Sequence, residues 1–119
     1  MYARDNVAGA NDLQQLLPGD DEVEAATDML RMLADGTRLR LMWLLSSAEH
    51  DVTTLVRAVG VARPAVSQHL GKLRLAGLVT MRRDGRRALY RAQGGHVRRL
   101  VSEVMQAASH RVTGAPEHD

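Results

Sequence analysis

The sequence predicts a mainly α-helical fold with one small β-hairpin. Apolar residues recur at helical spacing in five segments between residues 20 and 110. Two short runs of strand character flank Asp84-Gly85. Basic residues are concentrated in the same half of the chain as that hairpin. The chain has 119 residues, 45% hydrophobic and 25% charged, which fits one soluble domain. It has no cysteine, so disulfide frameworks and thiolate metal sites are excluded. No apolar stretch approaches the roughly 20 residues of a membrane helix, and the acidic N-terminus does not resemble a signal peptide, so a cytoplasmic protein without membrane contact is expected. The aromatic residues are Tyr2, Trp43 and Tyr90, with no Phe. The core must therefore be aliphatic, and a chain this small buries limited area unless a second copy adds to it.

The net charge of +2 hides a strong asymmetry. Residues 1–35 carry Arg4 and Arg31 against eight acids, a net of −6, whereas residues 36–119 carry fourteen bases against six acids, a net of +8. Within 62–99 ten bases face the single acid Asp84. Such a footprint suits a polyanion.

Residues 1–19 are polar apart from Leu13, Leu16 and Leu17, end in the break Pro18-Gly19, and are expected to form a flexible arm or a short extra helix. From Asp20 to Leu33, Val23, Ala26, Met29, Leu30 and Leu33 mark a helix behind an acidic first turn, which suits the positive end of the helix dipole. Asp35 caps a second helix, Thr37 to Leu45, whose apolar residues, Trp43 among them, cover most of its circumference. It is expected at the centre of the core, with Arg38 and Arg40 on its exposed edge. Asp51-Val52-Thr53 reads as a short extended piece feeding a capped helix from Thr54 to Val59, which Gly60 ends. Pro64 opens a further helix that runs to Ala76, with Gly77 as its stop. Two short helices so joined form a helix-turn-helix. Strands Val79–Arg83 and Arg86–Arg91, joined by Asp84-Gly85 in a type I′ turn, add a wing. A last helix spans about His96 to His110, with Val97, Leu100, Val101, Val104, Met105 and Ala108 in one stripe, and residues 111–119 are expected to be a flexible tail. The domain proper is thus 20–110, and the first and last long helices are left to pair with a second copy.

Helical periodicity decides which face of the second helix of the helix-turn-helix is free. Val66, Leu70 and Leu73 fall within about 60° of one another and form the core stripe. Pro64, Ala65, Ser67, Gln68, Gly71 and Lys72 lie opposite, small or polar and without a carboxylate, so this face can enter a major groove of double-stranded DNA. Gln68 is the candidate base reader, Ser67 can meet a base or a phosphate, Lys72 suits a phosphate, Arg63 is a further candidate DNA contact, and His69 stands at the boundary between phosphate contact and core. Arg82, Arg83, Arg86 and Arg87 at the wing tip are placed to grip backbone or reach a narrow minor groove. The competing reading of the hairpin is a solvated edge strand blunted by charge.

Three stretches together resemble the ArsR/SmtB family of winged-helix bacterial repressors: Leu33-Ala34-Asp35-Gly36-Thr37-Arg38-Leu39-Arg40-Leu41, Pro64-Ala65-Val66-Ser67-Gln68-His69-Leu70-Gly71-Lys72-Leu73-Arg74, and the arginine-rich wing with Tyr90. The resemblance covers roughly residues 26–110. It implies a homodimer formed by the first and last long helices, an imperfect palindrome as operator, and an effector that is often a metal. The family's thiolate site needs cysteines near Asp51 to Leu55, which this chain lacks, so arsenic, cadmium and lead are not expected. The last helix is similar to that of the nickel/cobalt-sensing branch. His96 and His110 match two ligand positions there, while Gly94 and Ala107 stand where one nickel sensor has further ligands.

His96, Glu103 and His110 are spaced seven and seven apart and align within about 40° on one helix face. His96 and His110 are about 21 Å apart along one helix, too far to share an ion, but an antiparallel pair of last helices brings His96 of one copy towards His110 of the other. Glu103 then lies near the dyad, and His118 on the tail is a further candidate ligand. Imidazole and carboxylate donors suit Ni(II) or Co(II), with Zn(II) as a third candidate. Alternatively these are polar residues at an ordinary helix pair, and the regulator answers to a partner protein or another ligand. No Ser-His-Asp arrangement, zinc-hydrolase helix motif or phosphate-binding glycine loop is present, so an enzyme is not expected.

Overall fold

The computed structural model describes residues 9–114. Six helices and three strands follow in the order α1 (Ala10–Leu16), α2 (Asp20–Leu33), α3 (Gly36–Ser47), β1 (His50–Asp51), α4 (Val52–Val59), α5 (Arg63–Leu75), β2 (Val79–Asp84), β3 (Arg87–Ala92) and α6 (Gly94–Thr113). Of the two readings of the N-terminal segment, residues 10–16 take that of the short extra helix, and the last helix continues past His110 to Thr113, into the expected tail. Extra hydrogen-bonded turns at the ends of α6 draw in Gly94-Gly95 and part of the segment expected as a tail.

Each helix boundary has a local cause. The acidic start of α2 meets its own unpaired donors, with Glu22 Oε1 accepting the N–H of Gly19 at 3.0 Å. Asp35 caps α3 by accepting the N–H of Arg38 at 2.9 Å, and Asp51 caps α4 by accepting that of Thr54 at 2.8 Å. At the end of α5, Gly77 takes φ +76°. Its N–H bonds the carbonyl of Arg74, while the N–H of Leu78 bonds that of Leu73. This Schellman closure, with Leu73 and Leu78 both buried, turns the chain from α5 into the wing.

The strands form one antiparallel sheet in the order β1-β3-β2. Asp84 pairs with Arg87, so the two loop residues are Gly85 and Arg86, one position later than expected. Gly85 has φ +64°, and among the described residues no non-glycine residue has positive φ. A type I′ turn needs positive φ at both central residues and is therefore ruled out; glycine at the first central position is the type II′ preference. The shift lengthens β2 by one residue and puts Arg86 at the tip.

α3 is the central helix, touching α2, α4, α5, α6 and β3. Leu41, Met42 and Leu45 are buried there against Leu55 of α4, Val66, Leu70 and Leu73 of α5, and Val97 and Val101 of α6. The core is aliphatic as composition requires, and no polar residue is buried among the described residues. Trp43 departs from expectation: it is 48% exposed, because the far side of α3 is not covered by the chain's own elements. The stripe of α6 divides likewise, with Val97 and Val101 in the core and Val104 exposed.

Candidate nucleic-acid interface

The recognition face is built by the core behind it. Val66, Leu70 and Leu73 are fully buried, which fixes the rotation of α5 about its axis. Pro64, Ser67, Gln68, Gly71 and Lys72 are left exposed and Ala65 half-buried. Arg63, the first residue of α5, donates from Nη2 to the hydroxyl of Thr53 on α4 at 2.5 Å, so the two helices of the helix-turn-helix are tied at the entrance to that face.

The wing arginines fall into two classes. Arg82 makes a bidentate pair with Glu49, Nε and Nη2 each 2.9 Å from a carboxylate oxygen. Arg87 lies 3.7 Å from Asp51 and 3.9 Å from Asp84. Arg83 and Arg86 have no carboxylate partner among the described residues. These two, with Arg63, Arg87, Asp51 and Thr53, line a cavity of about 230 Å³ between the start of the helix-turn-helix and the wing. Four guanidinium groups around one concavity, against the single carboxylate of Asp51, make a positive site suited to a phosphate, and Arg83 and Arg86 are the two left free to meet it. The sequence pointed to all four wing arginines alike, since nothing in it shows that Glu49, thirty-three residues upstream, reaches Arg82.

His69 is neither on the recognition face nor in the apolar core. Its Nδ1 lies 3.3 Å from Nη1 of Arg38 and 4.0 Å from the carboxylate of Asp35. Arg38, expected on an exposed edge, instead folds back and donates from Nε to the carbonyl of Met32 at 2.6 Å. A polar link therefore runs from the end of α2, through the cap of α3, to α5. Sequence reasoning missed the role of Arg38; the signal available was its place three residues after a capping aspartate.

Three carboxylates of this framework are acidified. The N–H of Arg38 above all holds Asp35 below the usual carboxylate range, the side chain of Arg82 does so for Glu49, and the N–H of Thr54 for Asp51. Their folded pKa values lie below the unfolded ones, so the stability they contribute is complete above about pH 5 and is lost as pH falls through the lowered values. Thermal melts followed by circular dichroism should show the wild-type midpoint falling below that pH, and falling less steeply in an Asp35→Asn/Glu49→Gln/Asp51→Asn variant. Parallel curves would refute the assignment.

The candidate metal ligands share α6 but do not converge within one chain. His96 and Glu103 are exposed and His110 is half-buried. Nδ1 of His96 lies 3.0 Å from Nη2 of Arg99. Among the described residues no three metal-ligating side chains form a cluster. His118 lies outside the described residues.

The family model for bacterial regulatory proteins of the arsR family matches residues 35–81, from the cap of α3 into β2. The HTH-type transcriptional regulator KmtR of Mycobacterium tuberculosis is 46% identical over 99 residues, covering 83% of this chain and 76% of that protein. The HTH-type transcriptional repressor SmtB of the same species is 37% identical over 91 residues, covering 76% and 67%. Among solved structures, a homodimeric winged helix-turn-helix DNA-binding domain from Mycobacterium bovis superposes with a TM-score of 0.74 at 30% identity, covering 86% of this chain and 97% of that one.

Proposed function

This chain belongs to the ArsR family of bacterial regulatory proteins, and from that premise we propose that it binds an imperfect palindrome in double-stranded DNA as a homodimer and represses transcription under the control of Ni(II) or Co(II). It is a DNA-binding transcriptional regulator, not an enzyme, as its relatives are regulators. The observation that carries the DNA reading is the carboxylate-free exposed face of α5 set beside the unpaired Arg83 and Arg86 of the wing. In this reading Gln68 meets a base edge, donating and accepting at once to adenine, and Ser67 stands beside it. Pro64, Ala65 and Gly71 are small enough to let the backbone of α5 approach the groove. Lys72, Arg63, Arg83 and Arg86 hold phosphates, Arg82 and Arg87 orient the wing through their ion pairs, and His69 anchors α5 from behind.

Two copies must present α5 about one helical turn of DNA apart, roughly 34 Å, to read two half-sites. The exposed apolar residues of α2 and α6, Leu30 and Val104 among them, supply the face on which the copies join. No helix among the described residues is long and apolar enough to cross a membrane. Replacing Gln68 by alanine should lower discrimination at one base pair of each half-site by about 1–3 kcal/mol and leave binding to unrelated DNA unchanged. Competition binding with single-position operator variants measures this; equal discrimination by wild type and variant rejects the role of Gln68.

The metal reading rests on the donor set. His96, Glu103 and His110 offer nitrogen and oxygen from one flank of α6, which suits Ni(II), Co(II) or Zn(II), and the length of the helix requires the second copy to complete any site. Those residues would hold the ion, and its binding would bias the separation of the two α5 helices; His118 is a further donor in this reading. Titration of the dimer with each metal should show tight binding that a His96→Ala/His110→Ala variant loses. Equal affinity in the two proteins rejects sensing at α6 and favours control by another ligand or a partner protein.

A further inference from the structure

We propose that the groove beside Trp43 is the seat of helix α1 of a second copy of this chain, an exchange of N-terminal helices that rests on the homodimer proposed above. Leu39, Trp43 and Leu44 of α3, Val59 of α4 and Met105 of α6 line an open apolar cavity of about 360 Å³, with Arg40 at its edge. On the other side of Trp43, Arg98 and Arg99 of α6 border a second depression with Ser46, Ser47 and Ser102. Neither lining includes a carboxylate. The surface around this half-exposed indole is thus apolar in the middle and positive at its edges.

α1 has the complementary character. Leu13 and Leu16 fall within about 60° of one another on the helix and Leu17 follows directly. They are 47%, 77% and 68% exposed, and α1 buries no residue on its own chain. From Gly9 to Glu24 the chain carries five carboxylates, Asp12, Asp20, Asp21, Glu22 and Glu24, and no base. A short amphipathic helix with its leucines on one face, set in an acidic segment and burying nothing among the described residues, and an apolar groove edged by arginines match in both hydrophobicity and charge.

Connectivity favours the second copy as the source of the helix. The extended residues Leu17 to Gly19 attach α1 to the start of α2, and the fourteen residues of α2 then run about 21 Å before Leu33 enters the core. α1 is therefore carried towards the end of α2 remote from α3. A third apolar depression, formed by Leu30, Leu33, Leu39, Val101 and Val104 between α2, α3 and α6, shares Leu39 with the Trp43 groove. A partner seated on the α2 and α6 face thus borders that groove directly. The exchange would bury Trp43, cover α1 and set the acidic arm against Arg40, Arg98 and Arg99.

The chain lacks cysteine and has one tryptophan, so both sides of the contact can be probed in the full-length protein. Copies carrying Leu16→Cys and copies carrying Ala58→Cys, on the α4 wall of the groove, co-expressed with different tags and oxidised after purification, should form an interchain disulfide, since that bond needs Cα atoms about 4.4–6.8 Å apart. A Leu16→Cys and Leu75→Cys pair should not. In a separate protein, Leu13→Gln/Leu16→Gln/Leu17→Gln should shift Trp43 emission to longer wavelength, and raising the salt concentration should shift the wild type the same way. Sedimentation is run on every sample. Dimers that form no selective cross-link, or whose Trp43 emission ignores the triple substitution, overturn the exchange and leave the homodimer standing; a groove filled by a small apolar ligand falls under that outcome. A monomeric wild-type chain overturns both.

Discussion

Replacing Leu70 by alanine is expected to cost about 2–5 kcal/mol of folding stability, a large part of the 5–15 kcal/mol typical of a domain. Leu70 is fully buried on the inner stripe of α5, between Val66 and Leu73, and closes on the leucines of α3 and α4. Truncation removes its transfer free energy and leaves a cavity that a close-packed aliphatic core fills poorly. Leu75, five positions on in the same helix, is 92% exposed, and its replacement by alanine should change stability by less than about 0.5 kcal/mol. Chemical denaturation of the two variants beside the wild type measures the contrast. Similar midpoints for Leu70→Ala and Leu75→Ala would mean that α5 does not pack by the stripe described.

Removing Arg83 and Arg86 together should produce the largest loss in DNA binding. Each phosphate neutralised contributes about 0.9 to the slope of log K against log salt, so a dimer losing four such contacts should lose up to about 3.6 from that slope. Affinity for specific and unrelated DNA should fall alike, because phosphates carry no sequence information. Arg82→Ala is the internal comparison. Its guanidinium is committed to Glu49, so the slope should change less than in the double variant. Equilibrium binding at several salt concentrations separates the cases, and an unchanged slope in Arg83→Ala/Arg86→Ala rejects the wing as a backbone grip.

Much of this fold is legible residue by residue because its causes are local. The inner stripe of α5 follows from a period of 3.6 residues, the caps at Asp35 and Asp51 act on N–H groups three residues away, and Gly77 supplies the positive φ at which the helix turns into the wing. Where local signals compete, the reading slips. Asp84-Gly85 has the composition of a type I′ turn, yet pairing Asp84 with Arg87 moves the turn to Gly85-Arg86. Trp43 has the composition of a core residue, yet α3 has more apolar surface than one chain can cover.

The candidate interface divides along the same line. Spacing and charge in the sequence determined that α5 has a carboxylate-free outer face, that an arginine-rich hairpin follows it, and that any metal must be held by nitrogen and oxygen. Tertiary structure alone decided which arginines are free. Arg82 meets Glu49 across thirty-three residues and Arg38 meets His69 across thirty-one. Backbone periodicity and capping act within one helical turn, so they can be read from neighbours in the chain. An ion pair depends on where two remote segments come to rest, and that is set by the packing of the whole core.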